Sequence, residues 1–181
     1  VGETSSGKTT LAMAIAGNVE GQLFIIDPVW QPGSWGGIPA VTVSPDGDYE
    51  PLKAALIGLL NEMKRRGAEL QSGNSHFERL NIIFDEVPDT VAELPDEAGV
   101  LIRRLSQRGR HANMHLIGIG QSSTVNSWGI PGYCDTAENF ATIYVGNKAP
   151  SKNVAKMLKA TGRPHAAAIQ EASSWSGGVD G

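Results

Sequence analysis

A three-layer α/β sandwich around a mostly parallel sheet is the fold this sequence predicts. Three observations predict it. Short apolar runs alternate with segments whose apolar residues recur at helical spacing, the pattern of parallel strands joined by crossover helices. Two of those runs end in acids, at Asp27 and at Asp85-Glu86, and a third ends in an amide, Gln121. The chain also opens on a glycine-bounded loop, Gly2-Glu3-Thr4-Ser5-Ser6-Gly7-Lys8-Thr9, which leads directly into helix-forming residues.

Composition bounds the answer. The 181 residues suit one domain with a full core. With 40% hydrophobic and 19% charged residues, the chain is ordinary globular material rather than a disordered one. A net charge of −4 argues against a wholly basic nucleic-acid coat but leaves room for a local basic face. The single cysteine, Cys134, has no internal disulfide partner, which fits a reducing compartment. No run approaches the roughly 18 apolar residues that span a membrane. No internal repeat is evident.

The opening loop fits G-x-x-x-x-G-K-[ST], the phosphate-binding pattern called Walker A. Polyphosphate must be wrapped by backbone N–H groups, and glycine alone lets the backbone curl that closely. Lys8 then reaches the β- and γ-phosphates, and the Thr9 hydroxyl ligates Mg²⁺. The residues from Thr10 to Ala16 form a helix whose N-terminus lies under the phosphates. The whole stretch from Gly2 to Thr10 is thus the expected nucleotide contact. A phosphate loop normally follows a buried strand. Only Val1 precedes this one, so the sequence is expected to be a trimmed piece with its first strand truncated.

Gly17 and Asn18 stop the first helix. Gln22 to Asp27 reads as a fully buried strand ended by Pro28. Residues 28 to 39, rich in Pro and Gly, read as a loop carrying Trp30 and Trp35. The tryptophans either stack on a base, form a subunit contact or pack locally under the loop. A short strand over Ala40–Val43 is expected. Tyr49 to Arg66 reads as a helix with Leu52, Ala55, Leu56, Leu59, Leu60 and Met63 on one face, and Gly67 to Ser75 as a polar loop.

Leu80 to Glu86 is an apolar run ending in two acids, the Walker B pattern. The strand would put Asp85 at the carboxyl edge of the sheet, beside the Mg²⁺ held by Thr9. Glu86 would polarise the attacking water. The competing reading is a strand that merely ends at a solvated acid pair. Ala98 to Arg110 reads as a helix, and His115 to Gln121 as a strand whose terminal Gln121 shares the edge with Asp85. An amide there would orient water or sense the γ-phosphate. Ala141–Val145 is a further strand candidate. Ser151 caps a helix to about Ala160, Ala166 to Ile169 suggests a last strand, and residues 171–181 read as a flexible tail.

A strand ending in Gln121 after the acid pair is typical of P-loop ATPases that use a glutamate. Together with the loop, Ile25-Ile26-Asp27-Pro28 and the block from Ser106 to Gln121, it resembles the FtsK–HerA superfamily of motor ATPases. In that block basic residues precede a strand ending in glutamine. Gly120 stands where Thr is common in that family. The resemblance implies a RecA/ASCE-type P-loop NTPase core over residues 1–170. It implies ATP and Mg²⁺ as cofactors and a homo-oligomer, a hexameric ring that pumps double-stranded DNA by hydrolysing ATP. It also implies an arginine finger given by one subunit to its neighbour's ATP. Arg108 and Arg110 are the candidates, the alternative being solvated charges at a helix end. Work at the cytoplasmic face is expected, with membrane or secretion-complex partners reached through regions not in this chain.

Charge distribution bears on DNA independently. Lys148, Lys152, Lys156, Lys159 and Arg163 lie in a stretch free of acids, and the last four fall at helical spacing. Arg103, Arg104, Arg108 and Arg110 form a second cluster, while Asp85, Glu86, Asp89, Glu93, Asp96 and Glu97 gather elsewhere. Such segregation suits phosphate contacts; a solvated lysine face is the plain alternative. Three further readings remain: a related ATPase powering protein secretion or pilus assembly, a viral genome-packaging ATPase, and a nucleotide-binding subunit without turnover.

Overall fold

A computed structural model of the chain describes residues 7–122, 124–132 and 140. Its elements run α1 (Lys8–Ala16), β1 (Gln22–Ile26), α2 (Glu50–Gln71), β2 (Leu80–Phe84), α3 (Val87–Glu93), α4 (Pro95–Arg108) and β3 (Met114–Gly118). The three strands form one parallel sheet in the order β1-β2-β3. The register aligns Gln22, Leu80 and Met114 at one edge and Ile26, Phe84 and Gly118 at the other. The fold is thus mixed α/β with crossover helices, as the alternation of patterns predicts.

Strand alternation divides the core between the two faces of the sheet. Ile26, Ile82 and Phe84 pack with Leu52, Leu56, Leu59 and Met63 of α2 and with Ala98, Leu101, Ile102 and Leu105 of α4. Ile25 and Ile83 pack on the opposite face with Ala12 and Ala16 of α1, together with Trp35 and Ile119. Central β2 is buried at every position, which is why its sequence is continuously apolar apart from Asn81. That amide is satisfied by the carbonyls of Glu20 and Gln22, at 2.8 and 3.3 Å.

Several boundaries differ from the sequence expectation, each for a local reason. β1 is buried only at Ile25 and Ile26, with Gln22 exposed and Leu23 and Phe24 half-buried. Its outer neighbour is a single parallel bridge from Ile26 to Val41, which is all that forms of the strand expected over Ala40–Val43. α2 runs to Gln71 rather than stopping at Arg66. The buried Arg66 guanidinium ties that turn to Glu62, at 2.6 Å, and to the carbonyls of Glu78 and Ala112. Those bonds outweigh the roughly 1 kcal/mol that Gly67 costs in a helix interior.

α4 starts at Pro95 and ends at Arg108, and β3 ends at Gly118 rather than at Gln121. α3 has no counterpart in the sequence expectation. Its Pro88 lies in the first turn, where a missing N–H costs nothing. Glycines fix two close contacts around β3 and α4. A Cβ on Gly118 would meet the Trp128 ring at 2.4 Å, and one on Gly99 would meet the Gly129 carbonyl oxygen at 2.3 Å. Among the described residues no helix is long and apolar enough to cross a membrane. The expectations over Gly2–Ser6, Ala141–Val145, Ser151–Ala160, Ala166–Ile169, the basic residues from Lys148 to Arg163 and the tail lie outside the described residues.

Candidate functional site

Parallel strands end together, so β1, β2 and β3 bring Asp27, Asp85 and Gln121 toward one edge. α1 arrives at that same edge. Gly7, at φ +83°, makes the left-handed turn that starts the helix, and its carbonyl accepts the Leu11 N–H at 2.9 Å. A side chain there would be strained. The turn delivers Thr9 to the end of β2, with Oγ1 3.4 Å from Asp85 Oδ2 across 76 residues of sequence. Lys8 is 8% exposed, a burial lysine rarely reaches without compensation of its charge. Of the expected loop, Gly7, Lys8, Thr9 and Thr10 are described, and Thr10 is exposed at the surface of α1. Gly2, Glu3, Thr4, Ser5 and Ser6 lie outside the described residues.

Asp85 is buried, at 4% exposure. Burial pushes its carboxyl up from 3.8 to about 6. The Glu86 backbone N–H, bonded to Oδ1 at 2.9 Å, opposes that rise. The neighbouring charges of Asp27 and Glu86 add to it, and the Thr9 hydroxyl opposes it. A carboxylate so placed gains most from a cation brought beside it.

Glu86 sits at φ 44°, ψ 48°, a left-handed backbone that a residue with a side chain adopts at a cost of about 1–2 kcal/mol. The conformation turns the chain sharply from β2 into α3. β3 continues alongside this turn. Ile119 donates its N–H to the Phe84 carbonyl at 2.8 Å, and its own carbonyl accepts the Val87 N–H at 2.9 Å. Gln121 follows two residues later and is exposed.

Asp27 follows β1, and the sequence expectation notes it without giving it a role in the site. It is buried, at 5% exposure. Its Oδ2 accepts the Trp35 indole N–H at 2.9 Å, and its Oδ1 the Val29 N–H at 3.0 Å. The signal was present in the sequence, since β1 ends in an acid as β2 does. The partner was not readable, because Trp35 reaches Asp27 through a turn with positive φ at Trp35, Gly36 and Gly37. Of the readings for Trp35, local packing is the one realised, at 2% exposure.

Arg108 and Arg110 are exposed and precede β3, so they lie at the opposite edge of the sheet from Asp85. Five residues of strand at about 3.3 Å each put roughly 16 Å between the two edges. Arg103 and Arg104 are half-buried in the last turns of α4. Among the described residues no group of three or more His, Cys, Asp or Glu side chains gathers to cage a metal. No protein-family model matches the chain, and no curated protein matches it significantly.

Proposed function

We propose that this chain is a P-loop ATPase of the ASCE type that uses ATP hydrolysis to move double-stranded DNA, acting as a ring-shaped hexameric motor. The approach of Thr9 Oγ1 to Asp85 Oδ2, at 3.4 Å, carries the nucleotide-binding part of this reading. It supports taking Gly2–Thr10 as the Walker A loop and Leu80–Glu86 as Walker B, because those motifs are paired by a shared Mg²⁺.

The donor set fits that ion. Mg²⁺ takes hard oxygen ligands at about 2.0–2.1 Å in an octahedron, so adjacent ligands lie about 2.9 Å apart. A hydroxyl and a carboxylate at 3.4 Å need to close only slightly. Two protein ligands suffice, since Mg²⁺ in such sites completes its shell with phosphate oxygens and water. Bound there, the ion would neutralise charge on the β- and γ-phosphates.

The chain's own residues supply the rest. Lys8 and the N–H groups at the start of α1 hold the phosphates. Glu86 accepts a proton from the attacking water, and Gln121 orients that water or senses the γ-phosphate. Arg108 or Arg110, too distant to serve ATP in its own subunit, acts on the ATP of a neighbour. The DNA reading rests on the family resemblance and on the segregated basic residues. Glu86→Gln separates chemistry from binding. Calorimetry is expected to show Mg–ATP bound as by the wild type, with turnover reduced roughly 10²–10⁴-fold. A fully active variant would remove Glu86 from the chemistry.

A further inference from the structure

The edge of the sheet opposite Asp85 has a chemistry of its own. Arg79 enters β2 there, and Arg108, Arg110 and His111 lead into β3; all four are exposed. The exposed acids beside them are Glu20 and Glu78, and Glu78 accepts a hydrogen bond from Gln22 Nε2 at 2.8 Å. Arg79 makes no ion pair among the described residues.

Arg79 is nonetheless held in place. Its Nε donates to Asn81 Oδ1 at 3.1 Å, and Asn81 is fixed in turn by the Glu20 and Gln22 carbonyls. Its carbonyl accepts the Gln22 N–H at 2.8 Å. That contact requires Gly21, at φ +92°, where a Cβ would meet the Arg79 carbonyl oxygen at 2.4 Å. Fixing the guanidinium by Nε leaves the two terminal nitrogens, the pair that grips phosphate oxygens in a fork.

His115 stands next to this group. It is the β3 partner of Asn81 in the register. Asn113 gives its Nδ2–H to the Phe77 carbonyl at 2.9 Å, so its Oδ1 accepts from His115 Nε2, at 3.1 Å. Burial, and then the charge of Arg79, hold the imidazole below its usual range. A pre-oriented, exposed cation therefore stands near an imidazole held neutral, which an incoming anion would help to protonate.

We propose that Arg79, oriented by Asn81 beside His115, contacts the phosphodiester backbone of DNA at the sheet edge that also carries Arg108 and Arg110. The inference rests on the DNA reading above and names its surface.

The test measures affinity for random-sequence duplex DNA against salt, using the full chain, with Mg–ATP binding followed in parallel. Each phosphate contact contributes about 0.9 to the slope of log affinity on log salt. Arg79→Gln is expected to lower the slope by about that amount and leave Mg–ATP binding unchanged. Arg79→Lys keeps the charge and is expected to keep the slope. His115, followed by NMR, should titrate at higher pH when DNA is bound. If Arg79→Gln binds DNA with the wild-type slope, the contact is refuted while the DNA reading stands. If Lys loses the slope as Gln does, Arg79 acts through structure and the proposal fails. If the wild type binds Mg–ATP but no DNA, both readings fall together.

Discussion

At the scale of single residues, the acid edge concentrates strain and desolvation. Asp85 is the clearest case. Its carboxyl is raised from 3.8 to about 6, chiefly by burial, so the fold binds this proton more tightly than the unfolded chain does. The folded state then holds a proton that the unfolded state has released between about pH 4 and pH 6. Stability from this group is full below about pH 4 and is lost as pH rises to about 6, by at most about 3 kcal/mol. Thermal melts of wild type and Asp85→Asn across this range are expected to show the wild type falling relative to the variant. A difference independent of pH would mean that Asp85 is not desolvated. Asp85 and Glu86 were legible as a pair, because an apolar run ending in two acids says where a buried strand stops. The left-handed backbone of Glu86 was not legible, since nothing in a Glu-Val-Pro sequence announces φ > 0. Asp27 was legible as an acid at a strand end, but its bond to Trp35 depends on a tertiary turn.

At the scale of elements, periodicity told most where one face is buried and least where tertiary contacts set an end. The six apolar positions of α2 foretold its core face, whereas Arg66 decided its length through carbonyls 12 and 46 residues away. α3 is short and begins on a left-handed residue, so it carried too little period to be seen. α4 has a consequence for mechanism. Its C-terminal Arg108, and Arg110 beyond it, stand at the edge where strands begin, about one strand length from Asp85. An arginine finger from this segment therefore has to act between subunits, and such a finger is worth about 10³–10⁵ in rate. A chain with Arg108→Ala and Arg110→Ala together is expected to lose hydrolysis. Mixed with a Lys8→Ala chain, equally inactive alone, it should regain part of the activity. Neither loss nor recovery, in assemblies that exchange subunits, would make both arginines surface charges.

At the scale of the whole molecule, the sheet has opposed ends. Acids and the start of α1 meet where the strands finish; arginines and histidines cluster where they begin. This polarity was half legible in the sequence. The segregation of charge along the chain was plain, but only a parallel sheet converts it into two edges, and Arg79 joined the basic edge only once β2 lay between its neighbours. The proposed motor binds its own nucleotide at one end and DNA at the other, where the same edge also lends an arginine to a neighbour's nucleotide, so its central claim is that the two ends communicate. The direct measurement is the rate of phosphate release from Mg–ATP by the full chain, with and without duplex DNA of random sequence. The account predicts that DNA raises the rate and that added salt removes the increase as counterion competition weakens binding. An assembled protein with intact basal hydrolysis, whose rate is the same with saturating DNA as without it, would contradict the account.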